Sequence, residues 1–306
     1  MDGKRLRVGL IGWGTVGAAF GDLVINGPLP LRLACLAVRN RDRPDLPKGV
    51  ELVAPEQALE GDVVVELAGG LDGPREWARG TLDRGTPYVT ANKALLATHG
   101  GELAKLAEQR VAALLGSASV GGGTPMIEVT SHLAATGAIE RIRGILNATT
   151  TYILSAMSAG RSYDEALREA QEAGYAEADP SFDVEGRDAA QKLAILASVA
   201  WGRWRPERDV KTSGIVGQPV ATGETIRLVA EATKDVMTVA PSPIDPTDPL
   251  ARAAGIESVL EITVRDAGVF RVSGPGAGGR ATAGAVYGDL ARLVAGERPI
   301  LFGQPS

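Results

Sequence analysis

Gly9-Leu10-Ile11-Gly12-Trp13-Gly14-Thr15-Val16-Gly17, GLIGWGTVG, is the stretch on which the fold turns. An apolar run from Leu6 to Ile11 leads into it, and a helical pattern continues from it through Leu23. A second apolar run, Leu31 to Val38, follows, so one β-α-β unit spans roughly Leu6 to Val38. A bare GxGxxG is a weak signal. Between a strand and a helix it gains meaning, because glycine permits the tight turn and lets the helix N-terminus approach a pyrophosphate. Gly12, Gly14, Thr15, Val16 and Gly17 are therefore candidate cofactor contacts.

The end of the second strand reads Ala37-Val38-Arg39-Asn40-Arg41, without the Asp or Glu that would bind the ribose 2′-hydroxyl of NAD. Arg39 and Arg41 can pair with a 2′-phosphate instead, so NADP is favoured and NAD is left open; a solvated arginine at a strand end is the alternative. Further apolar runs, Asp62 to Leu67 and Pro87 to Thr90, alternate with helical stretches such as Gly73 to Arg84, which calls for a parallel sheet covered on both faces. Gly69 and Gly70 end one of these strands, where backbone can line the cofactor or simply turn. Thr90-Ala91-Asn92-Lys93 ends the next, at the sheet edge where ligands of open α/β folds sit. Asn92 and Lys93 join the candidate cofactor contacts, with Lys93 facing either the cleft or the solvent.

Beyond Gly116 the rhythm changes to α+β. Thr124 to Ala135, Tyr152 to Ser158, Tyr163 to Ala173 and Asp188 to Trp201 read as helices, and Ile139 to Leu146 as a strand. Between Ser213 and Pro249, rich in Gly, Pro and Thr, Glu224 to Thr233 reads as a helix. Ser258 to Arg265 and Val269 to Ser273 then read as strands, and Ala281 to Ala295 as a final helix that could return to the first domain. The domain boundaries expected are 1–123, 124–280 and 281–306. Two glycine-rich runs, Gly116 to Pro125 and Gly274 to Gly279, signal either a hinge or a close backbone approach. The second reading makes Gly276 a cofactor contact.

Composition narrows the function. With 306 residues, 44% of them hydrophobic, the chain can bury two cores, and its net charge of -5 argues against a nucleic-acid footprint. The uncharged stretch from Val8 to Gly21 is shorter than the ~20 apolar residues a membrane span needs, so a cytoplasmic protein with a small-molecule ligand is expected. Cys35, the only cysteine, lies in an apolar strand and reads as a core thiol. Only two histidines, His99 and His132, are present. Acid-base chemistry thus falls to carboxylates, lysines or tyrosines. The acidic block GYAEADPSFDVEGRDAAQK, Gly174 to Lys192, carries Asp188 and Lys192 four residues apart, on one helix face. By pattern alone an ordinary salt bridge is the simpler reading, and a shared ligand is the other.

Taken together, GLIGWGTVG, VVVELAGG, VTANKALLATHGGEL, ASVGGGTP, GILNATTTYIL, the acidic block and GPGAGGRATAGAVYGDL resemble the homoserine dehydrogenases along nearly the whole chain. The resemblance implies a Rossmann-type dinucleotide-binding domain followed by an α+β substrate-binding and dimerisation domain, and a homodimer. It implies the reversible NAD(P)-dependent interconversion of L-homoserine and L-aspartate 4-semialdehyde, in threonine, methionine and isoleucine biosynthesis. It places Glu177, the Tyr175 backbone, Asp183, Asp188 and Thr149 around the substrate, and Lys192, with Lys93 close by, at the reacting oxygen. A lysine that accepts a proton needs its pKa, ordinarily ~10.4, lowered by burial or a neighbouring cation. In the family a monovalent cation is held by backbone carbonyls, here those of Val120, Gly122 and Thr124, and by a glutamate. Ser117 stands in that glutamate's place, and Ala148-Thr149-Thr150-Thr151 replaces the usual Gly-Thr-Thr-Asn. After Leu290 only residues 291–306 follow, fewer than the ~50 an added regulatory unit needs, so a short form without one is expected. Two other readings stay open: an aspartate-semialdehyde dehydrogenase, which needs a cysteine nucleophile, and a nucleotide-sensing regulator on the same fold.

Overall fold

β1 (Leu6–Ile11) runs into α1 (Thr15–Asn26) through the glycine-rich turn, and β2 (Leu31–Ala37) returns alongside β1. The computed structural model describes residues 5–302. They divide into two units: residues 5–125 with 277–302, and residues 126–276.

In the first unit β3 (Glu51–Val53), α2 (Pro55–Ala58), β4 (Val63–Glu66), α3 (Asp72–Leu82), β5 (Tyr88–Thr90), α4 (Lys93–Arg110) and β6 (Leu114–Leu115) complete a sheet of order β3-β2-β1-β4-β5-β6. Every neighbouring pair is parallel. Each residue of β4 is buried, as a strand covered on both faces requires. The strand order reverses between β1 and β4, so a crevice opens beyond their carboxyl ends.

The second unit is built on α5 (Met126–Ala134), β7 (Ile139–Ile145), α6 (Ala148–Ser158), α7 (Tyr163–Glu172), α8 (Ser181–Val184), α9 (Arg187–Ala200), β8 (Val210–Thr212), β9 (Ile226–Thr233), β10 (Met237–Pro243), β11 (Glu257–Val264) and β12 (Gly268–Pro275). Its sheet, of order β12-β11-β7-β9-β10-β8, is antiparallel except for the β10–β8 pair. α9 packs on β9 and β10 and is buried along nearly its whole length, which is why its sequence from Leu193 onward is almost entirely apolar.

Three readings of the sequence are corrected here. Glu224 to Thr233 is not a helix: Ile226–Thr233 is the strand β9. Its Leu, Ala and Glu favour a helix intrinsically, but pairing with β7 and β10 overrides that preference. β10 went unseen because of Pro241 and Pro243. Both lie past Val239, where pairing with β8 stops, so the missing N–H groups break no ladder on that side. α6 begins at Ala148 rather than Tyr152. Three β-branched threonines mask its start, which is fixed by the Asn147 side chain accepting from the Thr150 N–H at 2.8 Å.

α10 (Gly279–Val294) packs against α1, and Ala283, Val286 and Leu290 enter the same core as Val8, Leu10 and Val65. The Leu29 N–H donates to the Tyr287 hydroxyl at 3.0 Å. Leu290 is fully buried. Leu290→Ala should lower the unfolding free energy by about 2–5 kcal/mol in a denaturant titration, whereas a loss under about 1 kcal/mol would show that α10 lies outside this core.

Candidate active site

The turn after β1 is shaped by backbone contact. Gly12 has φ +103°, and a Cβ there would come within 2.6 Å of the Leu67–Ala68 peptide. Gly14 differs: a Cβ on it would meet nothing within 4 Å. The packing of the fold does not require glycine at Gly14, and the space beside it leaves the start of α1 open to a close approach. A cavity of about 700 Å³ opens there, lined by Gly12 to Gly14 from the turn, by Val38 to Asn40 and Arg43 beyond β2, and by Leu67 to Leu71 beyond β4. Trp77 is also on its wall. Thr15, Val16 and Gly17 form the first turn of α1. Arg39 makes no hydrogen bond or ion pair among the described residues, so its guanidinium is available to a ligand. Arg41 is exposed and does not line the cavity.

Glu66, the last residue of β4, is fully buried. Its Oε1 accepts from the N–H groups of Ala68 at 2.7 Å and Gly69 at 2.8 Å, and its Oε2 from the Thr90 hydroxyl at 2.7 Å. Thr90 Oγ1 in turn accepts from the Asn92 N–H, and Asn92 Nδ2 donates to the Gly70 carbonyl at 2.7 Å. Asn92 Oδ1 caps α4, accepting from Leu95 N, and Lys93 is the first residue of that helix. One carboxylate thus fixes the Gly69–Gly70 turn and, through Thr90, the Asn92–Lys93 segment.

In the second unit Asp188 and Lys192 lie on one face of α9, and both are well buried. Lys192 Nζ donates to Asp188 Oδ2 at 2.7 Å and to the Leu146 carbonyl at 2.6 Å. Asn147 Nδ2 bridges two acids, donating to Asp183 Oδ1 at 2.7 Å and to Asp188 Oδ2 at 2.9 Å. The Thr149 hydroxyl lies 2.8 Å from Asp183 Oδ2 and 2.6 Å from the Tyr175 carbonyl, with one proton for the two acceptors. The Tyr175 ring stacks on Tyr152, centroids 4.8 Å apart. Glu177 is exposed, and its carboxylate has no partner among the described residues. As an ammonium Lys192 has three N–H donors. Two are directed to Asp188 and Leu146, leaving one for a substrate oxygen.

The structure thus brings together Thr149, the Tyr175 backbone, Asp183, Asp188 and Lys192. Gly276 belongs to the second unit, where a Cβ would fall 2.1 Å from Ser258 Oγ, so close packing already explains that glycine. Ser117 opens a buried 3₁₀ turn before Val120, Gly122 and Thr124; its N–H and hydroxyl donate to the two Asp289 carboxylate oxygens at 3.1 and 2.6 Å. Among the described residues no group of three or more His, Cys, Asp or Glu is arranged to hold a metal ion. Sequence reasoning missed Glu66, Asn147, Asp289 and Arg43. An asparagine directly before a helix was the one available signal, for Asn147.

Known proteins resemble this chain along both units. Residues 12–115 match the family model described as "Homoserine dehydrogenase, NAD binding domain", and residues 125–291 the one described as "Homoserine dehydrogenase". The chain is 39% identical to a homoserine dehydrogenase of Mycobacterium tuberculosis, over 94% of this chain and 72% of that one. It is 35% identical to that of Sulfurisphaera tokodaii, over 97% of this chain and all of the relative. Among solved structures, a hyperthermophilic archaeal homoserine dehydrogenase in complex with NADPH superposes with a TM-score of 0.85 at 28% identity, covering 97% of this chain and 99% of the other. The enzyme from Thiobacillus denitrificans gives 0.87 at 34% identity, covering 95% and 73%. With both halves matched and relatives above 30% identity aligned along almost its full length, the chain belongs to the homoserine dehydrogenase family.

Proposed function

We propose that the chain interconverts L-homoserine and L-aspartate 4-semialdehyde with NADP(H) as preferred cofactor and Lys192 as the proton-transfer group. The observation that carries this is the hydrogen-bond count at Lys192. As a neutral amine it has two N–H donors and a lone pair. Both donors can stay on Asp188 and Leu146, and the lone pair then occupies the place of the third N–H. The head group can exchange a proton with a substrate hydroxyl without losing either anchor.

A bound nicotinamide supplies the hydride acceptor in oxidation and the donor in reduction. When homoserine is oxidised, its hydroxyl proton would pass from oxygen to neutral Lys192 as a hydride leaves the carbon that bears that oxygen; in reduction the ammonium would return the proton. Asp188 and Asn147 position the amine, while Asp183, Glu177 and the Tyr175 carbonyl offer acceptors to the substrate ammonium, with Thr149 beside them. The assignment of Lys93 to the same oxygen rests on the resemblance alone. The residues around the first cavity fit NADP: the turn leaves room at Gly14, and Arg39 is uncommitted on its wall. An aspartate-semialdehyde dehydrogenase is disfavoured because burial pushes the Cys35 thiol up, keeping it a protonated core group.

The glutamate ligand of the family's monovalent cation is missing here. Ser117 offers no carboxylate, and both its donors are taken by Asp289. A homodimer through the second unit is part of the same reading, supported by Val269 and Phe270 exposed on strand β12. Among the described residues no helix is long and apolar enough to cross a membrane, in keeping with a cytoplasmic location.

Lys192→Ala should lower turnover by about 10²-fold or more while NADPH affinity stays nearly intact. In the parent protein homoserine oxidation should speed up toward alkaline pH and semialdehyde reduction toward lower pH; a variant with normal turnover and an unchanged profile would remove Lys192 from the chemistry. Arg39→Ala should weaken NADPH by about tenfold or more, the scale of one charge-assisted contact, and NADH far less. Equal losses would refute the 2′-phosphate assignment. Activity titrated with sodium or potassium chloride should change little, and a strong activation reversed by altering Ser117 would show that the cation site is retained.

A further inference from the structure

The segment 40–45 beyond β2 is held over the glycine-rich turn by a small set of directed bonds. Arg43 Nη1 donates to the Trp13 carbonyl at 2.6 Å. Its Nε and Nη2 grip Asp45 side-on, at 2.9 Å to Oδ1 and 2.6 Å to Oδ2. Trp13 answers from its side chain, the indole N–H donating to the Asp45 carbonyl at 3.2 Å. The Arg43 guanidinium holds the Asp45 carboxyl below the usual carboxylate range, so Asp45 keeps the charge that fixes the fork. Arg43 is partly buried, whereas Arg39, Asn40 and Arg41 around it are exposed.

Of the five N–H groups of a guanidinium, three are engaged here, and two remain. Arg43 lines the cavity together with Arg39 and Asn40, while Arg41 does not. A long side chain loses conformational freedom when it binds an anion, and Arg43 has already lost it. We propose that Arg43 is the second cation of the 2′-phosphate subsite, set in place by Asp45 and Trp13, and that Arg41 is not part of that subsite. The proposal rests on the NADP reading above. On it, Arg39 reaches the phosphate as a mobile partner and Arg43 as a preset one. Arg43 discriminates between the cofactors because its two remaining donors have an acceptor only when the phosphate is present.

Direct binding of 2′,5′-ADP and 5′-AMP, followed by calorimetry on the whole protein, separates the phosphate from the rest of the cofactor. Arg43→Ala should weaken 2′,5′-ADP by about tenfold or more, the scale of a charge-assisted contact, and 5′-AMP by less than about twofold. Arg43→Lys keeps a charge but cannot hold Asp45, Trp13 and a phosphate at once, so it should recover only part of the selective loss. If Arg43→Ala destabilises the segment, the lysine variant still decides, because a purely structural role would weaken both nucleotides alike. Equal losses for both nucleotides in Arg43→Ala and Arg43→Lys, or a selective loss in Arg41→Ala and not in Arg43→Ala, would overturn the proposal. Selective loss in Arg39→Ala without one in Arg43→Ala would overturn it while sparing the NADP reading; no selective loss in either would overturn both.

Discussion

A carboxylate taken out of water costs several kcal/mol unless donors meet it, and three of the four buried acids among the described residues shape the candidate site and the glycine-rich segment through that requirement. Glu66 is fully buried, Asp289 is 2% exposed and Asp188 6% exposed. Glu66 is met by two backbone N–H groups and a hydroxyl, Asp289 by a backbone N–H and a hydroxyl, and Asp188 by an amide and a lysine. Backbone donors come attached to a fixed stretch of chain, so satisfying the acid also dictates the path of that stretch. At Glu66 the stretch is Ala68 to Gly70, which lines the dinucleotide cavity. The folding requirement and the shaping of the ligand site are one set of bonds.

The same economy operates around Asp188. Asn147 caps α6 through its Oδ1 and ties Asp183 to Asp188 through its Nδ2, so one amide both starts a helix and aligns two acids. Lys192 is fixed by a carboxylate from its own helix and by the carbonyl of the residue before Asn147. Neither anchor lies on a loop that could drift independently, because α9 is packed throughout and the start of α6 is pinned by its cap. Networks of this kind are worth more than separate pairs, since each bond polarises and orients the next.

Much of this was legible in the sequence, and the limits have physical causes. The β1–turn–α1 unit and the parallel sheet were readable because strand, glycine and helix signals are local. The Asp188–Lys192 pair was readable as a geometry, since four residues on a helix mean one face, but not as a site. A surface pair and a buried one look identical until α9 is seen to be covered. β9 was misread because a strand paired on both sides and largely buried gives no alternation. Glu66 in VVVELAGG looked like a polar residue ending a strand, and its donors come partly from β5, 24 positions on. Asp289 is 172 positions from Ser117, a distance over which no sequence pattern operates. Arg43, which lines the cavity while Arg41 does not, was not singled out because proximity to the strand end was the only guide.

The Ser117–Asp289 contact shows how such a framework tolerates change. With a glutamate at position 117, as the resemblance describes for relatives, a negative charge would enter this segment from its own backbone, and a cation would offset it. Here the charge enters from α10, and the N–H and hydroxyl of Ser117 are among the donors that offset it. Both carboxylate oxygens of Asp289 are engaged, and the 3₁₀ turn over Ser117–Ser119 is further closed by the Ser119 hydroxyl on the Gly116 carbonyl at 2.6 Å. In a chain that works without a cation, as proposed above, these hydrogen bonds and the packing of Ala118 into the α10 core tie the glycine-rich segment to the rest of the first unit. A tie of that kind needs no ion drawn from solution, because both of its partners belong to the chain.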